Sequence, residues 1–264
     1  MSVALAYFRR DFQIWSSYRL AALWQLVTPF MLIGLIYFAG EAIGDRSDLI
    51  KEENGSYVAF ILVGVAFADV LLGGLNNLPQ QIHDQQRLGM LEPTLVAPIR
   101  NLSLLTSIWL FRFSLSLVRM TMFMAFGFIA LGFWHSVDPS SVILILIAAE
   151  ITYLALGAFS AAFVILFKEG DPVRLAYAGF STVIGGAIFP VDALPDWMEP
   201  IALLIPLTHA LSGIREGLDG GSIADVAPQL ITLTIMAVVL VPAALYAFSW
   251  ALQRAKREGS LGQY

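Results

Sequence analysis

Four ionisable residues interrupt stretches that are otherwise apolar: Asp69, Arg112, Arg119 and Glu150. A charge in hydrocarbon costs free energy, so each should face the protein interior and find a partner. Arg112 and Arg119 are seven residues apart and share one helix face. At about 1.5 Å of rise per residue, Asp69 and Arg112 enter their segments to comparable depth, and Arg119 and Glu150 lie further in. The expected pairs are therefore Asp69 with Arg112 and Glu150 with Arg119. Such charges either pin the packing of helices, with Arg112 reaching for the headgroups, or form a polar patch on a translocation route.

Other chemistry is scarce. A phosphate-cradling loop needs Gly-Lys before Ser or Thr, and none of Lys51, Lys168 and Lys256 follows a glycine. His83, His135 and His209 are scattered without a neighbour at metal-ligand spacing, and there is no cysteine. No serine sits in a G-x-S-x-G elbow. The expectation is a chain with no catalytic residue, no metal site, no cofactor of its own and no nucleic-acid partner.

The elements that carry these charges follow from composition. Of 264 residues, 58% are hydrophobic and 13% are charged. A soluble domain carries about twice that share of charge. The apolar runs reach about twenty residues, enough to cross a bilayer as helix, and they lack the alternation of a barrel. The reading is an all-α polytopic membrane protein in one domain, residues 1–264. Six transmembrane helices are expected, at about 20–40, 57–78, within 102–133, then 142–167, 173–189 and 226–252. Before them, Leu5, Phe8, Phe12 and Trp15 recur at helical spacing around Arg9, Arg10 and Asp11. That pattern predicts an amphipathic helix lying in the membrane interface.

Six spans put both termini on one side. The loops at 79–101 and 168–174, with both terminal segments, hold most of the Lys and Arg, whereas the opposite loops hold Arg46, Lys51 and Arg215. The positive-inside rule then places both termini in the cytoplasm. Between spans five and six lies GGAIFPVDALPDWMEPIALLIPLTHALSGIREGLDGGS. Pro190, Pro195, Pro200 and Pro206 cut it into pieces too short to cross, yet it is too apolar for a free loop. An outer re-entrant helical hairpin meets both conditions.

One cytoplasmic stretch, HDQQRLGMLEPTLVAPIR at 83–100, is polar and punctuated by proline. Its residues GMLEPTLVAPIR resemble the G-x-x-E-x-L-x-x-[TA]-P segment of type-2 ABC transporter export permeases. Pro93 stands where leucine is commoner. FPVDALPDWMEPIALLIPLTHALSGIREGL at 189–218 resembles the second hallmark of that family, just before the last span. The look is closest to the drug and lipo-oligosaccharide exporter branch, a bacterial-type inner-membrane setting.

The resemblance implies a cytoplasmic ATPase subunit, in two copies, that binds ATP and Mg on this chain's behalf. It implies that Gln85, Arg87, Leu88, Met90, Leu91 and Glu92 dock on that subunit as a coupling helix. It implies a second permease subunit, most simply a homodimer, with Thr28, Tyr37, Phe180 and Thr182 along the route. Phe189, Pro190, Pro195, Trp197, Pro206 and Arg215 would form an outer gate. The expected cargo is an amphipathic drug, lipid or lipid-linked glycan, with polysaccharide as the alternative. A channel, a membrane-embedded enzyme or a non-transporting scaffold are the competing classes, and residues 83–100 argue against the first two.

Overall fold

The computed structural model describes residues 3–20, 23–24, 27, 31, 34, 57–87, 101–131, 136–167 and 172–257. Most of expected span one, with Thr28 and Tyr37, lies outside these residues, as do Leu88, Met90, Leu91 and Glu92. Among the described residues the chain is all helix, with no strand. The helices are α1 (Val3–Ser17), α2 (Tyr57–Arg87), α3 (Asn101–Leu131), α4 (Pro139–Phe167), α5 (Pro172–Ile184), α6 (Glu199–Ala202), α7 (Pro206–Leu218) and α8 (Ala227–Arg257).

Four of these, α2, α3, α4 and α8, are long and apolar enough to cross a membrane. Helix α5 is not. Its 13 residues span roughly 20 Å, short of the ~30 Å hydrocarbon core. The expected fifth span, 173–189, is therefore a shorter helix continued by turns at 185–189. The glycines there end the helix: Gly186 adopts φ 82°, a left-handed conformation that favours a residue without Cβ.

Helix α2 departs from expectation at its other end. It does not stop near Leu78 but continues through Pro79 to Arg87. Proline costs the helix one backbone bond, which a packed membrane helix tolerates when neighbours hold it in place. Leu78 and Ile82 supply that hold, buried against Ala155, Phe248 and Leu252 of α4 and α8. The first part of the polar stretch is thus the extension of a span, not a separate element.

The bundle is built around α4, which packs on α2, α7 and α8. Helices α2 and α4 approach backbone to backbone. A Cβ built on Gly157 would lie 2.3 Å from the Gly74 carbonyl oxygen, and one on Gly64 would lie 2.0 Å from that of Ala187. Small residues allow such close helix contact in a membrane, where packing replaces the hydrophobic drive. Helix α1 docks on α3: the Phe8 and Phe111 rings meet edge to face at 5.5 Å. Gln81 donates to Asp11 across 3.4 Å, tying α1 to the polar end of α2.

The proline-rich segment is packed, not free. Helix α7 buries Leu207, Ala210, Leu211, Ile214 and Leu218. Its glycines let α4 in close, Gly213 against Ile145 and Gly217 against Val142. Thr208 donates to the Ala202 carbonyl at 2.7 Å, and the His209 ring meets that of Leu203 at 2.8 Å. These bonds satisfy carbonyls that four-residue α6 cannot pair internally. Asp138 caps α4 through the backbone and hydroxyls of Ser140 and Ser141, and its own N–H donates to Gly217 at 2.9 Å.

Candidate functional site

The intramembrane charges do not pair as the sequence suggested. Arg119 takes Asp69, with Nη2 at 2.8 Å and Nε at 2.9 Å from one carboxylate oxygen, and Nη2 also donates to Ser116 at 2.9 Å. Arg112 does not reach Asp69, and Arg119 does not reach Glu150. The reason is register. Helices α2 and α3 run antiparallel, with Gly73 level with Ser116, so Asp69 falls opposite Arg119 and not one turn or more earlier. Counting depth from assumed helix ends could not resolve an offset of seven residues, because α2 runs nine residues further than expected.

The pair lies at the edge of the bundle, with the Asp69 side chain 39% and that of Arg119 18% exposed. A second polar tie sits one to two turns along α2, where Arg174 of α5 donates to Asn76 at 2.9 Å. At the opposite end, Arg215 of α7 donates to the carbonyls of Gly186 at 2.8 Å and Phe60 at 3.3 Å. Its guanidinium also lies over the Phe60 ring, 3.6 Å from the centroid. Arg215, assigned to an outer gate, thus clasps the start of α2 to the turn after α5.

Glu150 stands apart from these ties. It is 4% exposed, and among the described residues neither carboxylate oxygen reaches full hydrogen-bond geometry, although the Trp109 indole N–H approaches the carboxylate. One oxygen lies 3.2 Å from where a Cβ on Gly74 would stand, and the Trp109 indole of α3 faces it. One turn on, the hydroxyls of Tyr153, Tyr177 and Ser181 face one another without any reaching hydrogen-bond geometry. Helices α2, α3, α4 and α5 therefore converge on a set of buried polar atoms that satisfy one another poorly. Buried polar groups are ordinarily bonded, so the concentration marks a place where structure is not the whole explanation. The sequence flagged Glu150; it did not flag Trp109, Tyr153 or Tyr177, which read there as ordinary span residues.

The remaining expected site residues spread more widely. Gln85 is buried in the last turn of α2, and Arg87 ends the helix. Phe180 projects outward from α5, and Thr182 returns its hydroxyl to the Ala178 carbonyl at 2.8 Å. Phe189 and Trp197 are exposed, the latter at 69%, Pro190 is half-buried, Pro195 is exposed, and Pro206 is buried at the start of α7.

A comparison with curated protein sequences yields no match. A scan against known families matches residues 41–246 to the ABC-2 family transporter proteins. That match covers most of the chain, including α2 to α7 and most of α8, and it agrees with apolar helices long enough to cross a bilayer. The chain belongs to the ABC-2 family of transporter proteins, as a multi-pass membrane subunit of the transport machinery.

Proposed function

We propose that this chain is the membrane half of an ATP-driven exporter, moving an amphipathic drug, lipid or lipid-linked glycan outward. A separate cytoplasmic ATPase, in two copies, supplies ATP and Mg, and two permease chains form the pore. The observation that carries the reading is the shape of α2. One uninterrupted helix runs from an apolar, buried span into the polar turn HDQQR, whose next residues in sequence are 88–100. A helix that crosses the bundle and ends in polar residues is suited to receive a push from a soluble partner. Gln85, Arg87, Leu88, Met90, Leu91 and Glu92 are the proposed contact. Both termini and this contact lie on the cytoplasmic side in this reading, and α6 and α7 form a re-entrant outer segment. Phe189, Pro190, Pro195, Trp197, Pro206 and Arg215 line the proposed exit, and Thr28, Tyr37, Phe180 and Thr182 the dimer-facing route.

The test is ATP hydrolysis and transport by the purified permease with its candidate ATPase. Wild type is compared with Glu92→Ala and with a glycine-serine replacement of 85–92. Loss of assembly or of transport-linked turnover in both is expected. Wild-type behaviour in both would reopen the channel and enzyme readings.

A further inference from the structure

We infer that Glu150, with Trp109, is the element that recognises a positively charged group on a lipophilic substrate. The inference rests on the exporter reading and names the substrate class within it.

A carboxyl buried in a bundle with only one loosely placed indole N–H beside it is costly in either protonation state, because the acid form also leaves a donor unmet. Among the described residues, the cations of the spans are committed elsewhere or form no ion pair with it. Arg119 is held by Asp69 and Ser116, Arg174 binds Asn76, Arg215 binds carbonyls at the far end, and Arg112 makes no ion pair there. The positive charge that would complete Glu150 is one that none of these helices brings to it.

Access and chemistry point the same way. Helices α3 and α4 each pack on α2 and scarcely on each other, which leaves a seam between them floored by Gly73 and Gly74. Glu150 stands on one wall, and Trp109 closes the other. Trp109 is only half-buried and stacks on Phe113, with centroids 4.2 Å apart and planes at 20°. Leu110 beside them is exposed. Rotation of the part-buried Trp109 indole is the proposed way in from the bilayer. An ammonium or phosphonium arriving from the lipid would then meet an aromatic face and, behind it, a carboxylate. Both attract a cation that carries apolar bulk. An anion would find no such attraction at the same place.

The probe is tetraphenylphosphonium, with tetraphenylborate as its anion of like size and shape. Full-length protein in phosphatidylcholine nanodiscs is titrated with each, against empty nanodiscs, for wild type and Glu150→Gln. Tetraphenylphosphonium should bind the variant at least about tenfold more weakly, and tetraphenylborate should not distinguish the two. Equal cation binding, equal loss of both ions, or no cation binding by wild type overturns the inference. Should the variant not fold, wild type alone decides. Tetraphenylphosphonium, and not tetraphenylborate, must protect Glu150 from a hydrophobic carbodiimide, with half-exposed Asp69 as the unprotected control. Unprotected Glu150 overturns the inference as well. Binding is read without any ATPase, so failure of ATP-driven export would sink the exporter reading and leave this result standing, and the reverse also holds.

Discussion

The glycine contact between α2 and α4 yields the sharpest test of the packing. In Gly157→Ala the new Cβ falls 2.3 Å from the Gly74 carbonyl oxygen and 3.3 Å from Leu75 Cα. Ordinary contact needs roughly 1 Å more, and the obstacle is helix backbone, which cannot turn aside as a side chain does. Overpacking of this kind costs typically 1–3 kcal/mol, and the top of that range, about 3 kcal/mol, applies here. Alanine also favours a helix over glycine by about 1 kcal/mol. Gly179 in α5 cancels that term, since it is helical and a Cβ added to it would meet nothing within 4 Å. Gly179→Ala should therefore stabilise slightly, and Gly157→Ala should fall about 3 kcal/mol below it. The assay is reversible unfolding in mixed micelles, with both variants and wild type side by side. Equal stability of the two alanine variants would refute the backbone-to-backbone contact.

Three further outcomes follow from the same geometry. Asp69→Asn should cost about 1–2 kcal/mol, between the values for exposed and buried pairs because both side chains are partly open. The swap Asp69→Arg with Arg119→Asp should recover stability in that unfolding assay, and Asp69→Arg with Arg112→Asp should not; equal recovery would contradict the pairing. Arg215→Ala removes two carbonyl bonds and the Phe60 ring contact and should cost about 2 kcal/mol, with lysine restoring little since it lacks the planar fork. A wild-type-like lysine variant would argue against the fork geometry. Hydroxyls of Ser140 and Ser141 hold Asp138 below the usual carboxylate range, and that of Ser222 does the same for Asp225. A depressed folded value stabilises above the ordinary value near about 3.9, and the gain is lost as pH falls through the folded one. The unfolding midpoint of wild type should therefore drop more steeply below about pH 4 than that of the Asp138→Asn, Asp225→Asn variant. Matching slopes would refute it.

The apolar runs told most of what the sequence could tell. Length and hydropathy located α2, α3, α4 and α8 to within a few residues at most ends, because a lipid-facing helix must be apolar along its whole length. They failed where burial by protein replaces burial by lipid. The polar turn 83–87 reads as loop, yet Gln85 is buried and helical. Helix α5 reads as a full span because Gly185, Gly186, Ala187 and Ile188 are as apolar as helix, although they form turns. The pairing of charges failed for another reason. Depth along a span depends on both helix ends and on register, and no single chain's hydropathy encodes register. That Asp69 and Arg119 would need partners within the bundle was legible; that they meet each other was not. The tight contact of Gly74 with Gly157 was equally hidden, since a glycine in a backbone contact and one with open space around it, such as Gly179, look alike in sequence.

The contacts of α2 divide into two mechanical kinds. At Gly64 with Ala187 and at Gly74 with Gly157 backbone meets backbone, and no side chain can absorb a displacement. At Asp69 with Arg119, Asn76 with Arg174 and the Phe60 carbonyl with Arg215, the link is a long guanidinium arm that can re-aim by ångströms. A push on the polar end of α2 is therefore expected to carry α4 along as one block, while α3 slips on Arg119. Glu150 rides on the block and Trp109 on the slipping helix. If the partner pushes at residues 85–87 as proposed, the seam between them is where the motion would open, beside the buried carboxyl of Glu150. Two-cysteine crosslinks between positions 109 and 150 can be read cleanly in this cysteine-free chain. Their yield should change with the nucleotide state of the partner ATPase, while crosslinks between positions 74 and 157 should not. Equal response at both would mean that α2, α3 and α4 move together, and the division into block and slipping helix would fall.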